Sequence, residues 1–356
     1  MPRPSRFVLA AIALGGIGFC VYKFLKAMSE SLMEDLVKVL RWLAERHPSL
    51  ADYEPPGKIL RAVATGPRVD ALVVHGCSMV AVPSGAADLF VDVLHPAGCR
   101  AVVLTGGVGR ETLPLWAELA ERNLTALFGV SWASNAPPSH VVLPAQGGAT
   151  KPVLDGFNVN TPPEVLREYA SEADVFLEIF LARCRERGLH VEYGGNPLAG
   201  DATTVPGTAI DSVARVYLET ASTHTGTNVE FSRRTLEQLG MRAPTVAVVQ
   251  QPALHRRTCA TWQKQLGVAP IGWTLRPDEV STGRTRSEML LYALGELRRI
   301  PKYAKGEGYC VMPADFPHEL VPRLEALESS IAMAVAMEKE AKAKASRPAP
   351  EDGLLV

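Results

Sequence analysis

The sequence predicts an α/β fold: a Rossmann-like three-layer sandwich with a mostly parallel sheet, preceded by an N-terminal membrane-anchor helix. Three observations carry the α/β part. The apolar runs Ala71–His75, Ala101–Thr105 and 245–249 are continuous rather than alternating, as in strands covered on both faces. Helix-spaced apolar positions follow the strand segments, and strand–helix alternation marks βαβ units. Polar residues and glycines gather just after the strands, at the edge where open parallel sheets bind ligands.

The anchor rests on residues 7–22, an uninterrupted apolar and glycine run with Arg3 and Arg6 before it and Lys23 and Lys26 after it. With Phe24 and Leu25 the run approaches the roughly 20 residues that span a bilayer. No small-x-small cleavage site follows, which favours an uncleaved anchor over a signal peptide, and the run is not amphipathic, which disfavours a mitochondrial presequence. Basic residues flank both ends, so orientation is left open. Residues 31–46 place Leu32, Leu36, Val39, Leu40 and Leu43 on one face, an amphipathic helix expected to pack on the domain. Tyr53-Glu54-Pro55-Pro56-Gly57 reads as a linker.

The core then unfolds in order. Residues 71–75 form the first strand, closed by Gly76, and residues 84–94 its helix. Residues 101–105 form the second strand, and Gly106-Gly107-Val108-Gly109 leads into a helix over 111–122. Glycines between strand and helix let backbone amides approach an anion; a tight turn without a ligand uses the same glycines. Residues 123–160 and 192–208 read as loop-rich insertions, and a helix is expected over 161–187, with Ser171 as a place where it could restart. The richest stretch is 215–261: a strand closed by Glu219, a polar loop, a helix ending at Gly240, a buried strand, a break at Pro252, and a helix opening at His255-Arg256-Arg257-Thr258. Residues 272–284 read as irregular, 287–299 as an amphipathic helix, and 322–344 as helical by propensity. The organisation expected is therefore anchor and flank over 1–30, amphipathic helix and linker over 31–66, an α/β domain over 67–300 with insertions near 123–160 and 188–211, and a helical extension and tail over 301–356.

Composition excludes some functions. The 356 residues carry 37 basic and 38 acidic side chains, so no basic surplus points to nucleic acid. The six cysteines form no C-x-x-C pair, which argues for free thiols over a disulfide scaffold or zinc site. His224 and His255 lack metal-ligand spacing, so no metal is expected. No G-x-S-x-G elbow supports a hydrolase triad.

Several residues point instead to a small ligand. Arg256 and Arg257, read as sitting where a helix opens, present planar donor forks for a phosphate or carboxylate, or alternatively join Glu219 and Glu172 in internal salt bridges. Glu219 suits a ribose hydroxyl, an arginine partner, or a general base. Glu172 is open to the same roles, or to pairing with a helix dipole. Ser222, Thr225 and Asn228 flank a helix entry, and one cap residue suffices structurally, so three are a surplus favouring ligand contact.

Ser222-Thr223-His224-Thr225-Gly226-Thr227-Asn228, preceded by Glu219 and followed by Arg256-Arg257-Thr258-Cys259-Ala260-Thr261, resembles the domain-of-unknown-function family that groups YdcF, SanA and ElyC, most closely its YdcF branch. Ser171-Glu172-Ala173 resembles the family's acidic helix start and Thr105-Gly106-Gly107 its glycine turn; the resemblance covers residues 70–273, with breaks. His224 stands where the family commonly has Asn, and the stretch after His75-Gly76 lacks acidic and arginine residues many members carry. The resemblance implies a small-molecule site built from Gly76, Gly106, Gly107, Glu172, Glu219, Ser222, Thr225, Asn228, Arg256 and Arg257. It makes S-adenosylmethionine or another nucleotide the candidate ligand, with roles near membrane lipid metabolism. A non-catalytic, membrane-tethered scaffold is the alternative, and the sequence leaves open whether the protein is an enzyme.

Overall fold

In the computed structural model, the described residues are 34–35, 38–50, 68–128, 138–158, 160–202, 213–276, 286–307 and 309–325, with isolated positions beyond. The anchor stretch and the 53–57 linker lie outside them. Among the described residues no helix is long and apolar enough to cross a membrane.

Six strands form one parallel sheet: β1 (Ala71–His75), β2 (Ala101–Thr105), β5 (Val191–Gly195), β6 (Ala214–Glu219), β7 (Val246–Val249) and β8 (Ile271–Trp273). Their order is β5-β6-β2-β1-β7-β8, and every neighbouring pair is parallel. The chain moves outward from β1 through β2 to β5, returns by β6, then crosses to β7 and β8 on the other side. This reversal puts a topological switch beside β1, where loops part and leave a crevice at the carboxyl ends of the strands.

Alternate residues of the central strands feed two cores. Leu72, Val74, Val102, Leu104, Val216 and Leu218 pack with α1 (Ala81–Leu89) and, after the glycine loop, α4 (Glu172–Glu186) on one face. Ala71, Val73, Val103, Tyr217, Val246 and Val248 pack with α5 (Thr225–Gln238) and α6 (Pro252–Leu266) on the other. The central strands are thus buried on both sides, which is why their sequence runs apolar without alternation.

Remaining elements revise several expectations. The 123–160 stretch is not all loop: β3 (His140–Leu143) and β4 (Ala149–Pro152) pair as an antiparallel hairpin. The second insertion contains β5, an edge strand whose Tyr-Gly-Gly end hid it among turn residues. Gly272 and Trp273, the start of the 272–284 stretch read as irregular, belong to β8, too short to show a pattern. No helix runs through 161–187. A single turn, α3 (Pro163–Leu166), precedes a restart at Ser171, whose hydroxyl accepts from the Asp174 amide at 3.1 Å while the Asp174 carboxylate accepts from the Ser171 amide at 2.8 Å. That reciprocal capping box fixes the start of α4. Pro252 opens α6 as its first residue rather than ending the preceding segment, so Arg256 and Arg257 lie in the second turn.

After α2 (Thr112–Glu121) on the β2 side, a third cluster forms around α7 (Arg286–Lys302). Val39, Leu40 and Leu43 of the N-terminal amphipathic segment pack with Ala293, Leu294, Leu297 and Ile300 of α7, and with Phe316 and Leu320, the latter opening α8 (Leu320–Glu325). Trp42 donates from Nε1 to Asp315 at 2.8 Å across this junction. Cys77, Cys99, Cys184 and Cys310 are buried free thiols, and burial pushes Cys99 and Cys184 up to about 12.

Candidate functional site

The switch crevice is a cleft of about 680 Å³. Gly76, Gly107 and Gly109 form its floor; Ser222 to Gly226 and Asn228, entering α5, supply one wall. Another comes from Leu254, Arg257 and Thr261 of α6, Tyr292, Glu296 and Arg299 of α7, and Tyr303 and Tyr309 beyond it. Phe157, Asn160, Pro162 and Leu166 form the rim, with Arg110, Glu111 and Glu172 completing the lining.

α5 begins here because His224 takes an extended conformation and caps it: its Nδ1 accepts from the Thr227 amide at 3.3 Å, and Thr227 Oγ1 accepts from the His224 amide at 3.2 Å. The first amides of the helix, those of Thr225 and Gly226, have no acceptor within it. No acidic residue stands in this first turn, so the helix itself leaves its positive end uncompensated toward the cleft. Asn228 is 5% exposed, lines the cleft, and its Oδ1 has no hydrogen-bond partner among the described residues. A buried polar atom left unpaired costs about 1–3 kcal/mol, so an orphan at a cleft marks a place that a ligand can satisfy.

Of the two readings of the glycine turn, the amides of Gly106 and Gly107 fit the tight turn rather than the anion cradle. The Gly106 amide donates to the Glu219 carbonyl at 3.0 Å, and that of Gly107 to the Ser222 carbonyl at 2.7 Å. Their own carbonyls accept the first amides of α4, Ala173 to Gly106 at 2.9 Å and Glu172 to Gly107 at 3.2 Å. Gly106, at φ +148° and packed on Gly76, is a structural corner outside the cleft lining. Glycine at these positions therefore joins β2, α4 and the β6 loop.

Glu219 is likewise a brace. It is fully buried and accepts from Thr105 Oγ1 at 2.5 Å, from Ser222 Oγ, and from the amides of Ala221 and Ser222 at 2.6 and 2.9 Å. Burial raises its pKa while these donors pull it back. With four donors the carboxylate is saturated, and it does not line the cleft.

The two arginines separate, because successive helical residues point about 100° apart. Arg256 turns away from the cleft: it pairs with Glu45 at 2.6 Å and with Asp315, and stacks 5.2 Å from the Trp42 ring centroid. Its expected place in the ligand-holding set is corrected to a clamp between the two ends of the described chain. Arg257 faces the cleft, paired with the fully buried Glu296 and stacked 5.7 Å from the Tyr303 centroid. Its partner is therefore neither Glu219 nor Glu172 but a glutamate of α7. His255 is buried beside Cys259 Sγ, 3.7 Å from Nε2, and burial lowers it to about 3, so the ring is neutral.

Glu172 lines the cleft at 6% exposure, with Thr112 Oγ1 donating to Oε1 at 3.1 Å. Burial first, then the nearby Glu111, raises its pKa from the ordinary 4.5 to about 8. The folded state therefore holds this proton over a range where the unfolded chain has released it. That contribution is fully present below about pH 4.5 and is lost as pH rises through about 8. Glu172→Gln is expected to flatten the fall in unfolding midpoint between pH 5 and pH 8; a variant as steep as wild type would show that the carboxyl ionises freely in the fold.

Sequence reasoning missed the α7 wall. Tyr292, Glu296 and Arg299 fall at i, i+4 and i+7, one face of the helix read there as merely amphipathic, and that polar stripe was the available signal. Among the described residues no cluster of His, Cys, Asp and Glu is arranged to hold a metal ion.

Fold and cleft together define a doubly wound α/β protein whose polar crevice lies at the carboxyl edge of a parallel sheet. Searched against models of known protein families, the chain matches none.

Proposed function

We propose that this chain binds a small anionic or adenosyl-bearing ligand in the switch cleft, with S-adenosylmethionine and nucleotides as the candidates its family resemblance implies. The observation that best supports a ligand in this cleft is the buried, unpartnered Asn228 Oδ1, an acceptor for a ligand hydroxyl or amine, beside the open N-terminus of α5. Arg257 and Arg299 add positive charge, and the aromatic wall of Tyr303 and Tyr309 offers faces for a planar group. The apolar run at 7–22 serves as a membrane tether in this reading. Resistance of the full chain to alkaline extraction from membranes tests it, and release would remove the tether.

A second reading is favoured by one observation: Arg256, Glu219 and Gly106 all lock the fold rather than face the cleft. It makes the protein a membrane-tethered scaffold. Thermal unfolding with S-adenosylmethionine, nucleotides or phosphorylated lipids separates the two. A ligand at 100 times its Kd stabilises by about 2.7 kcal/mol, which at roughly 2–4 °C per kcal/mol shifts the midpoint by several degrees. A panel in which no compound moves the midpoint supports the scaffold.

A further inference from the structure

The chemistry of the cleft is bipolar, and this narrows the ligand. Along α7, Tyr292 donates to Glu111, Glu296 is fully buried against Arg257, and Arg299 bonds Glu296 at 2.8 Å with 43% of its side chain exposed. From Tyr292 to Arg299 is seven residues, or about 10 Å along the axis. Two guanidinium groups sharing one carboxylate leave net positive charge towards one end, whereas the Glu111 carboxylate marks the other. Arginine forks match phosphate oxygens, and the uncompensated first turn of α5 adds to that preference.

The orphan polar atom points to different chemistry. Asn228 Oδ1 is an acceptor, so it calls for a donating O–H or N–H, which a fully ionised anion does not offer. The Glu111 carboxylate lines the same cleft but already accepts from Tyr292. A bare anion would satisfy the arginines and leave the Asn228 acceptor unserved. A phosphate that also carries a hydroxyl serves both.

Resting on the reading that this cleft binds a small anion, we propose that its ligand class is a hydroxyl-bearing phosphate ester: a phosphate held at the Arg257–Arg299 end, with a hydroxyl donating to Asn228. Such chemistry occurs in free sugar phosphates and in the ribose phosphate of nucleotides. Arg299 and Asn228 are binding residues here, one for the charge and one for the hydroxyl.

Calorimetric titration of the full chain with inorganic phosphate, ribose, ribose 5-phosphate, adenosine monophosphate and S-adenosylmethionine tests this. Ribose 5-phosphate is expected to bind at least about tenfold more tightly than inorganic phosphate, the worth of a hydrogen bond or two. Adenosine monophosphate matching ribose 5-phosphate would indicate the free sugar phosphate as the source, and exceeding it would indicate the nucleotide. Asn228→Ala should erase the preference over inorganic phosphate, and Arg299→Ala, at a half-exposed position that folding tolerates, should weaken both phosphates and leave ribose unchanged. Inorganic phosphate binding as tightly as ribose 5-phosphate overturns the inference, as does an undiminished preference in a folded Asn228→Ala. Binding of S-adenosylmethionine with both sugar phosphates silent overturns it too, while sustaining the parent reading. Silence of every compound removes both.

Discussion

Glu296→Ala is expected to lower the unfolding midpoint by about 10 °C. The reason is its partner. Glu296 is fully buried, and the Arg257 side chain is only 12% exposed, so truncation leaves a largely buried guanidinium without its carboxylate. Removing one member of a buried pair costs about 3–5 kcal/mol, and roughly 2–4 °C per kcal/mol converts that to the shift. Arg257→Met combined with Glu296→Met should recover much of the loss, because matched apolar side chains leave no charge uncompensated. Arg299→Ala sets the scale for an exposed member of the same cluster, about 1 kcal/mol or less. Thermal melts of the four proteins check this. A Glu296→Ala midpoint within 2 °C of Arg299→Ala would mean that water reaches Arg257.

Gly107→Ala should follow closely in magnitude. A Cβ added there would stand 2.4 Å from the Ser222 carbonyl oxygen and 2.7 Å from that of Thr220. Both are backbone atoms, and the first already accepts from the Gly107 amide at 2.7 Å, so retreat breaks the bond that closes the loop. Overpacking a tight site costs about 1–3 kcal/mol, and the lost hydrogen bond adds to it. Gly109→Ala is the matched control: its nearest neighbour would be the Thr223 carbonyl at 3.4 Å, an ordinary contact. Equal midpoints for the two variants would show that the β6 loop yields freely.

The fold was legible where residues are buried on both faces. Strands β1, β2 and β7 read directly as apolar runs because every side chain in them is covered. β5 and β8 did not, since an edge strand ending Tyr-Gly-Gly and a three-residue strand carry turn-like composition, and only pairing with β6 and β7 makes them strands. The loop between β6 and α5 lies where the sequence put it, but the contacts of several residues around it were not legible. Thr225 and Asn228 line the cleft, whereas Glu219 and Arg256 are consumed elsewhere. Local pattern cannot distinguish a carboxylate facing a ligand from one facing four internal donors; that depends on neighbours such as Thr105, 114 residues away. The α7 wall lies beyond the 215–261 stretch in sequence, so its contribution required the packed structure.

The clamp of Arg256 on Glu45 and Asp315 has a consequence for how the protein is made. The cleft wall on α7 is held from one side by residues 39–43, among the earliest described in the chain, and from the other by Phe316 and Leu320, among the last. During synthesis the six-stranded sheet has all its strands once residue 273 has been added, yet the wall gains its second support only near residue 320. A nascent chain thus has its sheet residues before it can assemble the full cleft, and a chain that ends before Phe316 would hold all six strands while lacking one support of the α7 wall.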